Sequence, residues 1–232
     1  MGNMNKQITL AVATRLSVDQ FWVKSKLAPS LKKLLDQQQV DNVVIFDNNS
    51  TGLSTLYNKM FVEKHRYDIV VLCHDDVEIH DLFFKDKLYE AITKFDVIGL
   101  AGASSHTLKS PVVWHLAPRE HLSGSVTHVD NKNDLVYSTY FGHTKKSCVV
   151  LDGVFLAINM EKFIDTSVRF DDQFDFHFYD LNFCISAYQK NLKLGTWNIY
   201  VVHHSIGDFR QDPKWYANEE KYIKKFSNQN KS

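Results

Sequence analysis

The chain has 232 residues, with 27 Lys plus Arg against 27 Asp plus Glu and a formal net charge of zero when histidine is neutral. That balance lacks the basic excess that phosphate neutralisation asks of proteins living on nucleic acid or anionic membranes. A hydrophobic fraction of 44% with four Pro and nine Gly belongs to a folded chain rather than a disordered or fibrous one, and eleven histidines are the compositional oddity.

Residues 7–14 (QITLAVAT) form an apolar, branched run that predicts a buried strand. Residues 17–20 (SVDQ) follow as a capping box at a helix start. Leu27, Leu31, Leu34 and Leu35 then share one helical face, with Pro29 marking a break or a fresh first turn. A second strand over residues 42–47 ends in the polar turn Asn48-Asn49-Ser50-Thr51-Gly52, and Leu53, Leu56, Tyr57, Met60 and Phe61 make the next stripe. A third strand, 68–73, runs into His74-Asp75-Asp76, then a helix with Phe84, Leu88, Ala91 and Ile92 on one face, then a fourth strand over 95–101. Strands alternating with helices predict parallel pairing through right-handed crossovers, an α/β sheet whose ligands bind beyond the carboxyl ends of the strands.

Residues 104–147 loosen into short segments rich in His, Ser, Thr and Asn, which predict long loops or a small antiparallel excursion. Regularity returns over 148–159. A helical stripe of Leu181, Cys184, Ile185 and Tyr188 follows, closed by Gly195, and a last strand over 196–202 delivers His203-His204-Ser205-Ile206-Gly207. Residues 213–232 read as a polar, basic helix with a frayed end. No linker or repeat interrupts the chain, so one domain over residues 1–232, with a core of about 7–208, is expected.

Cys73, Cys148 and Cys184 lie far apart in apolar runs without CxxC spacing and read as buried free thiols of a reducing compartment. Residues 1–7 hold no apolar signal core, Lys6 stands where a myristoylation signal wants Ser or Thr, and no apolar run nears the ~18 residues of a membrane span. The expectation is a soluble, cytoplasmic protein, with peripheral contact at the inner face of a membrane left open.

Two carboxylates and an imidazole at His74-Asp75-Asp76 are costly to bury without a cation or a donor network, and such ligands suit Mn²⁺ or Mg²⁺ holding a diphosphate. A plain turn, with an Asp capping the next helix, is the alternative. Adjacent His203 and His204 on an extended chain point to opposite sides, so at most one faces a given site. Asp180 at a helix start is either a cap or a carboxylate kept ionised by the helix dipole to act as a general base. Asp152 interrupts an apolar run and reads as a buried anchor or a substrate contact. Asp47-Asn48-Asn49 is an Asx turn or a reader of base and ribose. Trp114 is core or a sugar platform.

In this order and spacing the pieces resemble the family-2-like glycosyltransferases of the GT-A fold, particularly the bacterial surface-glycan branch. The likeness covers residues 8–208. It is carried by Phe46-Asp47-Asn48-Asn49 with Gly52-Leu53-Ser54 and Tyr57-Asn58, by Leu72-Cys73-His74-Asp75-Asp76-Val77, by Asp152-Gly153-Val154-Phe155, by Phe176-His177-Phe178-Tyr179-Asp180-Leu181-Asn182, and by His203-His204-Ser205-Ile206-Gly207. The resemblance implies a Rossmann-like, mostly parallel central sheet flanked by helices, and an inverting, metal-assisted transfer of a sugar from a nucleotide-diphosphate donor to a hydroxyl of a glycan or glycolipid. Asp76 matches the last residue of the family's D-x-D metal motif, with His74 where an acid is usual, and His204 or His203 matches the histidine that completes the metal shell. Asp180 matches the acidic residue expected to be the base, behind Tyr179 where most relatives carry Glu. Thr14, Arg15, Asp47, Asn49, Asn58 and Asp75 fall in the donor pocket, and Asp152 and Trp114 face the transferred sugar or the acceptor. Two other classes stay open: a metal-dependent phosphohydrolase or nucleotidyltransferase, which residues 11–15 (AVATR) support poorly for want of a phosphate-cradling loop, and a non-catalytic nucleotide-sugar or glycan-binding module.

Overall fold

Residues 6–62, 66–130, 132–133, 135–205 and 212–229 are described by the computed structural model. Strand β1 (Ile8–Ala13) is followed by α1 (Val18–Lys24), α2 (Leu27–Asp36), β2 (Asn42–Phe46), α3 (Leu53–Val62) and β3 (Ile69–His74). The Ser17 capping box forms in full at the start of α1. In α2 the stripe Leu27, Leu31 and Leu34 is buried, and Pro29 sits in the first turn, where its missing N–H has no helical partner to lose. Both β2 and β3 run parallel to β1, with Leu10 opposite Val43 on one side and Val71 on the other.

The chain continues through β4 (Val77–Ile79), α4 (Phe84–Ala91), β5 (Val97–Gly99), β6 (Ala101–Ala103), β7 (Leu122–Asp130), β8 (Leu135–Gly142), β9 (Ser147–Cys148), β10 (Val150–Leu151) and β11 (Phe155–Asn159). It ends with α5 (Tyr179–Gln189), β12 (Leu194–Thr196), β13 (Val201–His203) and α6 (Pro213–Gln229). Among the described residues the strands form two sheets, ordered β2-β1-β3-β11-β5-β12-β9 and β10-β6-β7-β13-β4, with β8 paired to β7.

The α/β expectation holds, with three differences of physical interest. Strand β11 enters the central sheet between β3 and β5, antiparallel to both, with Phe155 opposite Cys73. The apolar run read as one strand over 95–101 is cut at Leu100, after which the chain passes to the second sheet. The run over 196–202 is cut in the same way between β12 and β13, with Trp197 buried at the crossing. A run of mostly strand-forming residues carries no mark of a change of sheet, because the side chains on either side of the crossing are of the same kind. The loose middle segment is more regular than expected: β7 and β8 pair over seven registers, from Gly124 with Gly142 to Asp130 with Leu135, and β7 also joins β6 and β13. Gly124 adopts φ +101 where the backbone of Leu100 passes, a place that admits no side chain.

Helix α6 is not simply polar. It buries Trp215, Tyr222 and Phe226, and its buried Glu219 accepts hydrogen bonds from the Val112 amide (2.5 Å) and the Ser110 hydroxyl (2.9 Å). The C-terminal helix therefore pins the loop that leads to Trp114. Cys73, Cys148 and Cys184 are buried free thiols. No helix among the described residues is long and apolar enough to cross a membrane.

Candidate functional site

Strand β3 ends at His74, and the turn Asp75-Asp76 carries the chain from the central sheet into β4 of the second. Strand β13 lies antiparallel to β4 with His203 opposite Val77, which sets the His203 ring beside Asp76. Its Nε2 is 3.4 Å from Asp76 Oδ2. One ligand atom each from His74, Asp76 and His203 falls within 4.8 Å of the others. The other oxygen of that carboxylate, Asp76 Oδ1, is buried and has no hydrogen-bond partner. An orphaned buried oxygen on a carboxylate grouped with two imidazoles is what a cation would satisfy, so these residues fit a divalent metal.

His204 is turned away from this group. Neighbouring residues on a strand face opposite sides, and with His203 inward the His204 ring reaches Glu78 Oε1 at 2.6 Å. The expectation that His204 completes a metal shell is therefore not met by its geometry. Ile206 and Gly207 of the same motif lie outside the described residues.

The His74 ring has its tautomer fixed from behind. Tyr179 donates its hydroxyl proton to the Gly153 carbonyl at 2.7 Å, and its oxygen is 3.1 Å from His74 Nε2. With the phenol proton engaged, that oxygen accepts, so Nε2 carries the imidazole hydrogen and Nδ1 keeps the lone pair. Burial pushes the His74 pKa down despite the opposing charge of Asp76, which keeps the ring neutral and able to donate electrons. Burial alone would raise the Asp76 carboxyl, yet the His203 imidazole outweighs it and holds the group below the usual carboxylate range.

Asp180 occupies the second position of α5, one residue after Tyr179. Its Oδ2 accepts from the Gly153 amide at 2.8 Å and its Oδ1 from the Leu181 amide at 2.9 Å. The helix-dipole argument predicts a fully ionised group. Burial, reinforced by the negative charge of Asp152, instead pushes its pKa up to about 7. Desolvation wins because the carboxyl sits among the aromatic rings at the helix start, where water solvates its charge poorly. Phe178, immediately before the helix, sits at φ 67, the left-handed region that costs a bulky residue energy. It is held there by Trp215 and Tyr222 of α6, with ring centroids 5.2 and 5.1 Å away.

Asp152 bridges two walls. Its Oδ2 accepts from the Trp114 indole at 3.1 Å and its Oδ1 from the Val154 amide at 3.0 Å. Trp114 in turn meets Phe141 of β8 at a centroid distance of 4.7 Å. These groups line one cavity of about 340 Å³, together with His74, Asp76, His203 and Asp180. The sequence reading missed a row of rings along its wall: Phe176 stacks on His74 (5.8 Å), His74 neighbours His203 (6.4 Å), and His203 neighbours His128 (5.6 Å), which stacks on Tyr137 (5.4 Å). His128 and Tyr137 pair across the β7–β8 hairpin, and only period-two patterning over 122–142 could have placed them on one face.

None of the six residues assigned to the donor pocket lines this cavity. Five of them gather at the carboxyl ends of β1, β2 and β3. The Thr14 hydroxyl donates to Asp75 Oδ2 at 2.6 Å, the Asn49 amide donates to the Thr14 carbonyl at 2.9 Å, and Arg15 and Asp47 are exposed beside them. Asn58 lies apart from them: its side-chain amide donates to the Phe170 carbonyl at 2.8 Å and its side-chain carbonyl accepts the Phe170 amide at 2.9 Å. The segment 170–175 lies along α3 and uses up that side chain.

A family model described as "Glycosyltransferase like family" matches residues 29–231. No curated protein sequence matches the chain. Among solved structures, a mutant of Drosophila β1,4-galactosyltransferase 7, solved with manganese, UDP-Gal and xylobiose, superposes with a TM-score of 0.51 at 12% identity, covering 90% of this chain and 79% of that one. TarS of S. aureus superposes with a TM-score of 0.50 at 12% identity, covering 94% of this chain and 64% of that one. Identities this low speak for shared architecture alone, whereas the family match spans most of the sequence and includes every cavity residue named above: the chain belongs to the glycosyltransferase-like family.

Proposed function

We propose that the protein is an inverting glycosyltransferase that moves a sugar from a nucleotide-diphosphate donor to a hydroxyl of a glycan or glycolipid, as in surface-polysaccharide synthesis. One observation carries the reading: a carboxylate with its pKa raised to about 7 shares a single cavity with a His74, Asp76 and His203 group fit for a cation. A base poised near the working pH balances availability against driving force. The manganese, UDP-Gal and xylobiose bound by the structurally similar galactosyltransferase are in keeping with this class of donor, ion and acceptor.

His74, Asp76 and His203 would hold a divalent ion, Mn²⁺ or Mg²⁺. When bound, the ion neutralises charge developing on the leaving diphosphate. The strand-end cluster of Thr14, Arg15, Asp47, Asn49 and Asp75, with Arg15 and Asp47 exposed, offers donors and acceptors for the nucleotide. Trp114, held by Asp152 and backed by Phe141, presents an aromatic face against which a sugar ring stacks. Asp180 takes the proton from the acceptor hydroxyl as that oxygen attacks the anomeric carbon, and the nucleoside diphosphate leaves from the opposite side, inverting the configuration. The Gly153 and Leu181 amides hold the carboxylate in place and release it from any need to move.

Replacing Asp180 by Asn keeps the shape and removes the base. Transfer by Asp180→Asn is expected to fall about 10²–10⁴-fold, with donor affinity by calorimetry within a few fold of the unaltered protein. Near-normal turnover in that variant would remove Asp180 from the role.

A further inference from the structure

Deepening that reading on its acceptor side, and resting on it, we propose that a second cavity beside Trp114 is a subsite for one neutral sugar ring, and that the acceptor is therefore at least two rings long. The cavity measures about 260 Å³ and is bounded by Ser105, His106, Thr107, Trp114, Leu116 and Pro118. That is short of the roughly 300–1,000 Å³ of pockets that enclose a whole drug-sized ligand, so it is sized for one ring of a longer molecule. It shares Val112, Val113 and Trp114 with the cavity that holds Asp180. Trp114 is the partition: its Nε1 donates to Asp152 in the first cavity, and its ring also walls the second. An acceptor that offers a hydroxyl to Asp180 thus has room for its next ring beyond the indole.

The lining chemistry decides the kind of ring. Trp114, Leu116 and Pro118 give apolar surface, Ser105 and Thr107 give hydroxyls, and among the described residues no Asp, Glu, Lys or Arg lines the cavity. His106 adds no charge, since burial pushes its pKa down to about 4. Tyr222 engages His106 Nε2 at 2.9 Å, which leaves Nδ1 to meet a sugar hydroxyl. A diphosphate would find no partner for its charge there, whereas a pyranose has apolar C–H faces for the indole and hydroxyls for the polar rim. The subsite therefore belongs to the acceptor, and none of His74, Asp76 and His203 lines it. Leu116 is 63% exposed at this cavity, apolar surface that a bound ring covers. The walls are set in advance by α6: Glu219 accepts from the Val112 amide at 2.5 Å and the Ser110 hydroxyl at 2.9 Å, and Tyr222 meets the His106 ring edge-on with centroids 5.5 Å apart. A preformed wall spares the ligand the entropy of ordering the loop.

The test uses the full chain without donor, so transfer is measured in none of its arms. NMR titration compares the methyl glycosides of glucose, galactose, N-acetylglucosamine and xylose with the α- and β-linked disaccharides of the same sugars. At least one disaccharide should bind about tenfold or more tighter than the methyl glycoside of either of its rings, the order expected when a leucine side chain is covered. The same disaccharide should shift the His106 ring signals, which the monosaccharides leave in place. A panel without such a gain, or a gain that leaves His106 unmoved, overturns the subsite. Leu116→Ala, a change at an exposed position that lines only the second cavity, should remove most of the gain and leave monosaccharide binding as it was; a full gain in that variant overturns the assigned wall. Placing a uronate carboxylate on each ring of the preferred disaccharide in turn should abolish the gain in one of the two, and a gain kept in both overturns the selection of a neutral ring. Failure of these binding arms leaves the transferase reading to its own Asp180→Asn test, and failure of that test leaves the binding measurements standing.

Discussion

Asp180 stands under opposed influences, two backbone amides favouring the carboxylate and a dry wall with Asp152 disfavouring it, and the second pair prevails. Its folded pKa of about 7 lies above the ordinary carboxylate value, so the folded state binds a proton that the unfolded chain has released between about pH 4 and 7. Asp180 therefore contributes stability below the unfolded pKa that is lost as pH rises through about 7. Asp180→Asn, which cannot ionise, should gain on the unaltered protein between pH 4 and pH 8 by about 1–2 kcal/mol, the full shift being discounted for solvent in the cavity. Denaturant titration at the two pH values reads this directly, and a difference that is flat in pH would show that the carboxyl is not raised. The same position makes transfer rise with pH through about 7 if proton removal limits the rate.

At the scale of elements, the site depends on how β11 and the start of α5 approach each other. Gly153 lies in the turn before β11, and a β-carbon there would meet the Tyr179 hydroxyl and lie 2.8 Å from the Asp180 β-carbon. Neither neighbour can yield, since Tyr179 is buried and Asp180 belongs to the helix backbone itself. Gly153→Ala should therefore push α5 outward, costing about 1–3 kcal/mol as overpacking does and weakening Mn²⁺ binding through the displaced Tyr179. Thermal unfolding together with calorimetry checks both effects, and an unchanged protein in both would mean that the turn is freer than its contacts imply. Phe178 in its left-handed conformation and the α6 rings that hold it belong to the same junction. Strain of this kind persists only where surrounding contacts enforce it.

Over the whole molecule, two sheets meet at the cavity: β3 and β11 of the central sheet supply His74 and the flanking Gly153, while β7, β8 and β13 of the second supply His128, Phe141 and His203. A ligand spanning both sheets binds the folded state alone and raises apparent stability in proportion to its occupancy. A nucleotide-diphosphate sugar accepted by the protein, present with Mn²⁺ at about 100 times its Kd, should add about 2.7 kcal/mol, a few degrees in Tm for a chain of this size. A panel of such sugars, scanned with and without Mn²⁺, in which none raises Tm would count against the donor class.

Much of this was legible before the fold was known. The β1-to-β3 crossovers, the Ser17 cap and the leucine stripe of α2 follow from periodicity and local capping chemistry, which act between residues a few positions apart. His74, Asp76, Asp152 and Asp180 could be singled out because charge at the end of an apolar run is conspicuous. What the sequence by itself determined is thus the set of chemical groups and the strand ends that carry them. Tertiary structure alone decided their use: that His203 and not His204 meets Asp76, that Tyr179 stands behind His74, that Asn58 is spent on Phe170, and that Asp180 loses the contest with desolvation. The reason is physical. Register, change of sheet and dielectric environment depend on contacts between residues more than a hundred positions apart, 126 in the case of Glu78 and His204, and no local pattern encodes which partner arrives.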